Sequence, residues 1–264
     1  MKTIWLSDIH LEFLHGPEIQ QFLRELDDIH ADAVLIGGDI AQASSVTSSL
    51  RQMQDQLGVP IYFVLGNHDF YHGSISEVRS AIRCLTKECS GLHWLSIGGA
   101  IPLTNRTSLV GHDGWGDGRL GDYENSRVQL NDFRLIEELR DLGRKETLQR
   151  LMRLGDEAAE HLGAVLPEAM ASSEHVIVVT HVPPFTEASW YDGRYCDPEW
   201  LPYFSCKAVG DVLAGTMRLH PDKKMTVLCG HTHGGGQSRI LPNLMAFTGP
   251  ARYGQPAIQK VFEW

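Results

Sequence analysis

Ile61-Tyr62-Phe63-Val64-Leu65-Gly66-Asn67-His68-Asp69 is an apolar run that stops at a glycine and hands over to an amide, an imidazole and a carboxylate. Four other stretches repeat the pattern. Residues 2–6 run into Ser7-Asp8-Ile9-His10, and residues 33–36 into Gly37-Gly38-Asp39. Residues 175–180 run into His181-Val182-Pro183-Pro184, and residues 225–229 into Gly230-His231-Thr232-His233. A short β-branched run bounded by Gly or Pro reads as a buried strand. In open α/β sheets, ligands bind outside the carboxyl ends of the strands. One sheet edge is therefore expected to gather Asp8, His10, Asp39, Asn67, His181, His231 and His233 into a binuclear metal centre.

The ligand types suit that expectation. Side chains alternate along an extended segment, so Asp8 and His10 share a side and can hold one ion. His231 and His233 repeat that spacing. Asp39 follows a glycine pair, and its two oxygens can bridge. Asn67 offers a neutral oxygen, and Pro183-Pro184 stiffen the loop behind His181. Nitrogen and oxygen donors without thiolate fit manganese, iron, zinc or nickel. With only two carboxylates in the set, two divalent ions leave the centre net positive, which suits a phosphate ester.

Length and composition bound the rest. A chain of 264 residues permits one large α/β domain or two small ones. The ligand segments span nearly the whole sequence, so a single domain over residues 1–264 is expected. No apolar run approaches a bilayer-spanning length, so no membrane partner is expected. The first strand begins at residue 2 and is spent on ligands, so no cleavable signal peptide is expected there. A net charge of −10 disfavours a nucleic acid polymer as partner. The five cysteines show no zinc-knuckle spacing and point to a reducing, cytoplasmic setting.

Helical periodicity appears over residues 17–29, 44–57 and 74–87, the last opened by a Ser74/Glu77 capping pattern. These helices alternate with the first three strands, giving a βαβαβ start and a parallel sheet. Short β-like pieces follow around 93–95, 101–103 and 108–110. Residues 130–142 and 144–166 read as helices of an insertion at about 122–172. Residues 187–205 read as an irregular, aromatic-rich stretch. A helix over 207–219 precedes the last ligand strand. Antiparallel pieces near 238–241, 244–247 and 258–262 close the chain.

At the ligand segments the sequence resembles the calcineurin-like metallophosphoesterases. That family carries Asp-x-His, Gly-Asp, Gly-Asn-His-Asp/Glu, His and Gly-His-x-His in this order, and every element is present between Asp8 and His233. The resemblance implies an α/β fold built as a two-sheet β-sandwich flanked by helices. It implies one ion on Asp8, His10, Asp39 and His233, and another on Asp39, Asn67, His181 and His231. It also implies hydrolysis of a small phosphate-ester substrate through a metal-activated hydroxide attacking phosphorus. His68 then faces the substrate and assists the leaving oxygen, with Asp69 as the carboxylate that orients its ring.

Departures from relatives narrow the substrate. The protein Ser/Thr phosphatases carry Gly-Asp-x-Val-Asp-Arg-Gly, where this chain has Gly38-Asp39-Ile40-Ala41-Gln42-Ala43-Ser44. Purple acid phosphatases place a tyrosine ligand where Gln42 stands. Lipid A pathway pyrophosphatases have Gly-Asn-Arg-Asp in place of Gly66-Asn67-His68-Asp69. The overall look is nearer the small bacterial phosphodiesterases, with their Gly-Asn-His-Asp and Gly-His-Thr-His. A phosphomonoesterase or nucleotide pyrophosphatase is the alternative; a non-catalytic scaffold and a DNA nuclease rank lower. Trp115 and Arg119 have two open readings, a lip over the pocket or an inward-packed turn. His72 reads as a solvated loop residue, Gly234-Gly235-Gly236 as a plain turn, and Arg252 as a lesser candidate to face the site.

Overall fold

A computed structural model describes residues 1–264. In chain order its elements are β1 (Lys2–Leu6), α1 (Gly16–Asp27), β2 (Ala33–Gly37), α2 (Val46–Leu57), β3 (Ile61–Val64), α3 (Ile75–Glu88), β4 (Leu92–Trp94), β5 (Ile101–Pro102) and β6 (Thr107–His112). There follow α4 (Asp132–Leu135), α5 (Arg144–Ser172), β7 (His175–Thr180), β8 (Trp190–Tyr191), β9 (Arg194–Tyr195), α6 (Leu201–Phe204) and α7 (Lys207–Leu219). The chain ends with β10 (Lys224–Cys229), β11 (Gly236–Leu241), β12 (Leu244–Thr248) and β13 (Lys260–Glu263).

Two sheets form, ordered β13-β1-β2-β3-β4 and β11-β12-β10-β7-β6-β5. The inner strands of both pair in parallel, and antiparallel strands sit at three of the four edges, β4 being parallel to β3. The period-two alternation of strand side chains explains why the runs are apolar on both faces. In the first sheet, Ile4, Leu6, Val34 and Ile36 pack outward on α1, α2 and α3, while Trp5, Ala33 and Leu35 point inward. In the second, Val176 and Val178 pack on α5 and α7, while Ile177 and Val179 point inward. The inward set forms the core between the sheets, and the order of layers is helix, sheet, sheet, helix. No helix is long and apolar enough to cross a membrane.

Several expected elements differ. Residues 130–142 are not one helix: α4 stops at Leu135, and a 3₁₀ turn covers Glu137–Leu139. The fully buried Ile136 turns extended between them and bridges Gly73, whose carbonyl accepts the Glu137 N–H at 3.0 Å. The helix expected to end at 166 runs on through Pro167 to Ser172, because buried Ala169 and Met170 hold its last turns against the second sheet. The start of α3 is held less by the local Ser74 cap, at 3.4 Å, than by Glu138, which accepts the N–H groups of Ile75 and Ser76 at 2.8 and 2.9 Å. The stretch 187–205 contains a hairpin, β8–β9, and a short helix, α6, where irregular chain was expected.

One buried carboxylate ties the two sheets together beside the ligand loops. Asp113, just after β6, accepts the Leu65 N–H at 2.8 Å, the Trp94 indole N–H at 2.8 Å and the Ser96 hydroxyl at 2.7 Å. Asp113→Ala would strand those buried donors and break the 3.5 Å contact with the Arg79 guanidinium, which keeps Glu157 at 2.7 Å. The expected loss is about 3–5 kcal/mol of unfolding free energy. Urea denaturation of the variant checks this; a loss under about 1 kcal/mol would mean that the staple is dispensable.

Candidate metal centre

All seven proposed ligands converge at the carboxyl ends of β1, β2, β3, β7 and β10. The backbone there is unusual. Asp8, His10, Asp39, His231 and His233 have φ between 43° and 68°, in the left-handed region. Only nine non-glycine residues in the chain share that region, so more than half of them are candidate ligands. Such conformations cost about 1–3 kcal/mol each and persist where the surroundings over-determine them. Two glycines make room: a Cβ on Gly66 would overlap Asp39 Oδ1, and one on Gly230 would overlap Asp8 Oδ2.

Hydrogen bonds around the rim decide which atoms face inward. The His181 Nδ1–H donates to the Gly37 carbonyl at 2.8 Å, so Nε2 carries the lone pair. That lone pair faces Asn67 Oδ1 at 3.1 Å and Asp39 Oδ1 at 3.4 Å. The His231 Nε2–H donates to the Tyr203 carbonyl at 3.1 Å, so its Nδ1 lone pair also faces Asn67 Oδ1, at 3.0 Å. Asn67 has no freedom to turn. Its amide N–H groups donate to Asp132 Oδ1 at 2.9 Å and to the Tyr71 hydroxyl oxygen at 3.1 Å, and Tyr71 in turn donates to Asp132 at 2.8 Å. Two imidazole lone pairs and an amide oxygen thus point at one another with no proton between them, beside Asp39 Oδ1.

A second group adjoins it. Donor atoms of Asp8, His10, Asp39 and His233 all lie within 4.8 Å of one another. The His10 Nδ1–H donates to Glu12 Oε1 at 3.3 Å, leaving Nε2 to face His233 Nε2 at 3.1 Å and Asp39 Oδ2 at 3.6 Å. The two Asp39 oxygens therefore face the two groups separately. Burial, with Asp8 and Asp69 close by, pushes the Asp39 carboxyl well above the usual range. Burial holds His181 down to about 4 and His231 well below its ordinary value, so both rings stay neutral. Neutral imidazoles, a neutral amide oxygen and crowded carboxylates form a donor set that fits cations.

His68 lies 9 % exposed at the floor of the adjoining cavity, stacked on Tyr71 with ring centroids 4.2 Å apart. Asp69 does not orient it. Asp69 faces away and accepts the backbone N–H groups of Ile40, Ala41 and Gly66 at 2.8–2.9 Å, which fixes the ligand loops. The His68 Nδ1–H instead donates to Glu12 Oε1 at 3.3 Å, the same oxygen that takes the His10 proton. Burial alone would raise Glu12, but the two ring N–H groups outweigh it and bring the carboxyl to about 2. Glu12 escaped sequence reasoning; its position two residues after His10 in Asp8-Ile9-His10-Leu11-Glu12 was the available signal. Asp132 and Tyr71 were also missed as supports of Asn67.

The cavity holds about 450 Å³ and opens between the ligands, residues 129–132 and the β8–β9 hairpin. Trp115 packs inward against Phe70, with centroids 5.7 Å apart, and forms no lip. Arg119 is tied to Asp117 at 2.9 Å and Asp156 at 2.7 Å, away from the cavity. His72 and Arg252 are exposed and outside the cavity lining, whereas Tyr253 belongs to it. Gly236 makes room for the Trp190 ring and brings no substrate near.

The chain belongs to the calcineurin-like phosphoesterase family, whose sequence profile matches residues 1–235. It is 36% identical over 150 residues to a UDP-2,3-diacylglucosamine hydrolase of Stenotrophomonas maltophilia, a match over 50% of this chain and 54% of that one. It is 35% identical over 101 residues to the enzyme of the same name from Serratia proteamaculans, over 33% of this chain and 42% of the other. The chain thus spans about half the length of the curated relatives it matches. Among solved structures, the phosphopantetheinyl hydrolase PptH of Mycobacterium tuberculosis superposes with a TM-score of 0.67 at 14% identity, over 96% of this chain and 89% of that one. A dimetal phosphatase of Danio rerio follows at 0.59 and 15% identity, over 95% and 87%. These structures share the two-sheet fold.

A cation that relieves the acceptor crowding stabilises the folded state by mass action. Saturating Mn²⁺ or Zn²⁺ added to chelator-stripped protein is expected to raise Tm by roughly 5–10 °C. Thermal unfolding with and without metal measures it; an unchanged Tm with manganese, iron, zinc and nickel alike would rule out a metal centre here.

Proposed function

We propose that the protein hydrolyses small phosphate esters, most readily diesters, at a binuclear centre. Asp8, His10, Asp39 and His233 hold one ion, and Asp39, Asn67, His181 and His231 hold the other. The observation that carries this reading is the pair of inward-facing acceptor groups joined by the two oxygens of Asp39. When bound, two transition-metal ions of manganese, iron, zinc or nickel supply charge to draw a phosphoryl oxygen and to lower the pKa of a water from about 15.7 to roughly 7.

The chain's own groups do the rest. His68 Nε2 faces the cavity, 3.5 Å from the Tyr253 hydroxyl, where it can hand a proton to the leaving oxygen. Glu12 holds the opposite ring nitrogen and stabilises the charged imidazole before transfer. Asp132 and Tyr71 keep the Asn67 oxygen aimed at the histidines. Asp69 secures the loops and plays no part at the reacting atoms. No arginine stands beside Asp39 to clamp a phosphoprotein, so bis-p-nitrophenyl phosphate is preferred over phosphoserine peptides. A nucleoside diphosphate ester is the second reading, favoured by relatives whose name speaks of a UDP-linked substrate. The five cysteines, all unpaired, suit a cytoplasmic setting.

Metal-saturated protein is expected to carry two ions per chain, and Asp39→Ala to lose both together with turnover. Elemental analysis decides this: a variant that keeps both metals and most of its activity contradicts the bridge. A clear preference for phosphopeptides over every diester would reverse the substrate assignment.

His68→Ala should retain both ions and lose roughly 10²–10⁴-fold in kcat, the usual worth of a positioned acid. Esters with an alkoxide leaving group should suffer more than those releasing p-nitrophenolate. Glu12→Gln should give a weaker version of the same pattern. Metal loss with equal damage to both esters would show that His68 only shapes the loop.

A further inference from the structure

Eight large apolar side chains are well exposed on this protein, and the five aromatic ones gather in one place, while Ile97, Leu142 and Leu219 lie elsewhere. Tyr191 (56 %), Tyr195 (48 %), Trp200 (41 %) and Tyr253 (52 %) all line the mouth of the cavity. A fifth, Phe13, packs on Tyr253 with centroids 4.8 Å apart. Concentrated aromatic exposure of this kind marks a binding surface. It is continuous with the metal centre: Phe204 packs edge-on against the ligand His231 at 4.8 Å, and Trp200 packs on Phe204 at 5.2 Å.

The hairpin that carries part of this surface is rigidly built. Asp192 and Gly193 form its two-residue loop, with φ of 49° and 72°. That is the left-handed pair that a tight hairpin of twisted strands requires. Trp190 anchors the hairpin to the second sheet, its indole N–H donating to Ser238 Oγ at 3.1 Å. The register pairs Tyr191 with Arg194, so these two side chains share one face of the hairpin, and both line the cavity. Arg194 is the only Lys or Arg in the lining, and its guanidinium takes part in none of the protein's ion pairs. A free cation beside exposed rings, over a cavity otherwise edged by Asp132 and Asp197, calls for a ligand that is flat, aromatic and anionic.

We propose that this vestibule binds a nucleotide portion of the substrate, with the base stacked on the Trp200 side of the mouth and a second phosphate on Arg194. The inference rests on the phosphate-ester reading and, for that same centre, favours its second reading, nucleoside diphosphate esters, over simple diesters. The step is the same hydrolysis. A water oxygen bonds to phosphorus, the bond to the bridging oxygen breaks, that oxygen takes its proton from His68, and the proton released by the attacking water returns to the imidazole through solvent.

Calorimetric titration of the metal-loaded protein tests it, with AMP, α,β-methylene-ADP, ribose 5-phosphate and decyl phosphate as probes. AMP should bind roughly tenfold or more tighter than ribose 5-phosphate, the usual worth of one stacked base. The methylene-ADP should bind tighter still. Trp200→Ala should erase the advantage of AMP over ribose 5-phosphate, and Trp200→Phe should keep most of it. Arg194→Ala, at an exposed position, should bring methylene-ADP down to the level of AMP. Equal binding of AMP and ribose 5-phosphate would overturn the proposal, as would tightest binding of decyl phosphate, which would assign the rings to an acyl chain. Hydrolysis of bis-p-nitrophenyl phosphate by the same preparation separates the two failures. If it is hydrolysed and the base preference is missing, only the vestibule assignment falls; if no ester is hydrolysed, the phosphate-ester reading falls with it.

Discussion

Two oxygens of one buried carboxylate, each facing a different set of lone pairs, set the terms for the whole molecule. Asp39 sits where the two sheets meet, and its neighbours come from strands of both. Without a cation, this arrangement is unfavourable. Burial and the carboxylates around it disfavour the charged form, and the rings opposite hold their protons on the outer nitrogens. The fold must therefore supply stability elsewhere, and it does so through strands buried on both faces and the inter-sheet staple at Asp113. The outer shell of hydrogen bonds from Gly37, Tyr203, Asp132 and Glu12 fixes the direction of the inner donors, as supporting groups do in metal sites generally.

Much of this could be read before any coordinates. Strands buried on both faces appear as unbroken apolar runs, and five such runs ending in ligand types place the site without further help. The two-sheet arrangement came from family resemblance, because periodicity alone does not say how many sheets the strands form. What escaped was what the tertiary structure brings together. Asp132 lies 65 residues from Asn67, yet it holds the Asn67 amide. Asp69, adjacent to His68 in sequence, was given that ring to orient, but its side chain satisfies three backbone donors instead. A carboxylate with buried N–H groups in reach is held more firmly by them than by one mobile ring. The Tyr191-Asp192-Gly193-Arg194 turn was legible in principle, since Asp-Gly between strand-forming residues is a strong hairpin signal. It was masked by the prolines and aromatics around it.

The left-handed ligands share a common cause. Each ligand must leave its strand and turn sharply toward a centre lying off the strand end. An extended residue would carry its side chain onward, past that centre. The strain is tolerated because the neighbouring backbone is pinned: the Asp8 N–H donates to the Gly38 carbonyl and the His10 N–H to the Asp39 carbonyl, both at 3.0 Å. The first two ligand loops thus hold each other in shape, which makes β1 and β2 a single unit for positioning donors.

The hairpin of residues 190–195 stands apart from that unit. Its Trp190 indole is seated over Gly236 of β11 and its backbone packs on Gly234, next to His233, while its paired side chains Tyr191 and Arg194 line the cavity. On the proposed reading, the reacting groups and the groups that choose the substrate lie on separate pieces of chain. A substitution at Tyr191 or Arg194 would then change which ester is held while the strand-end donors stay in place.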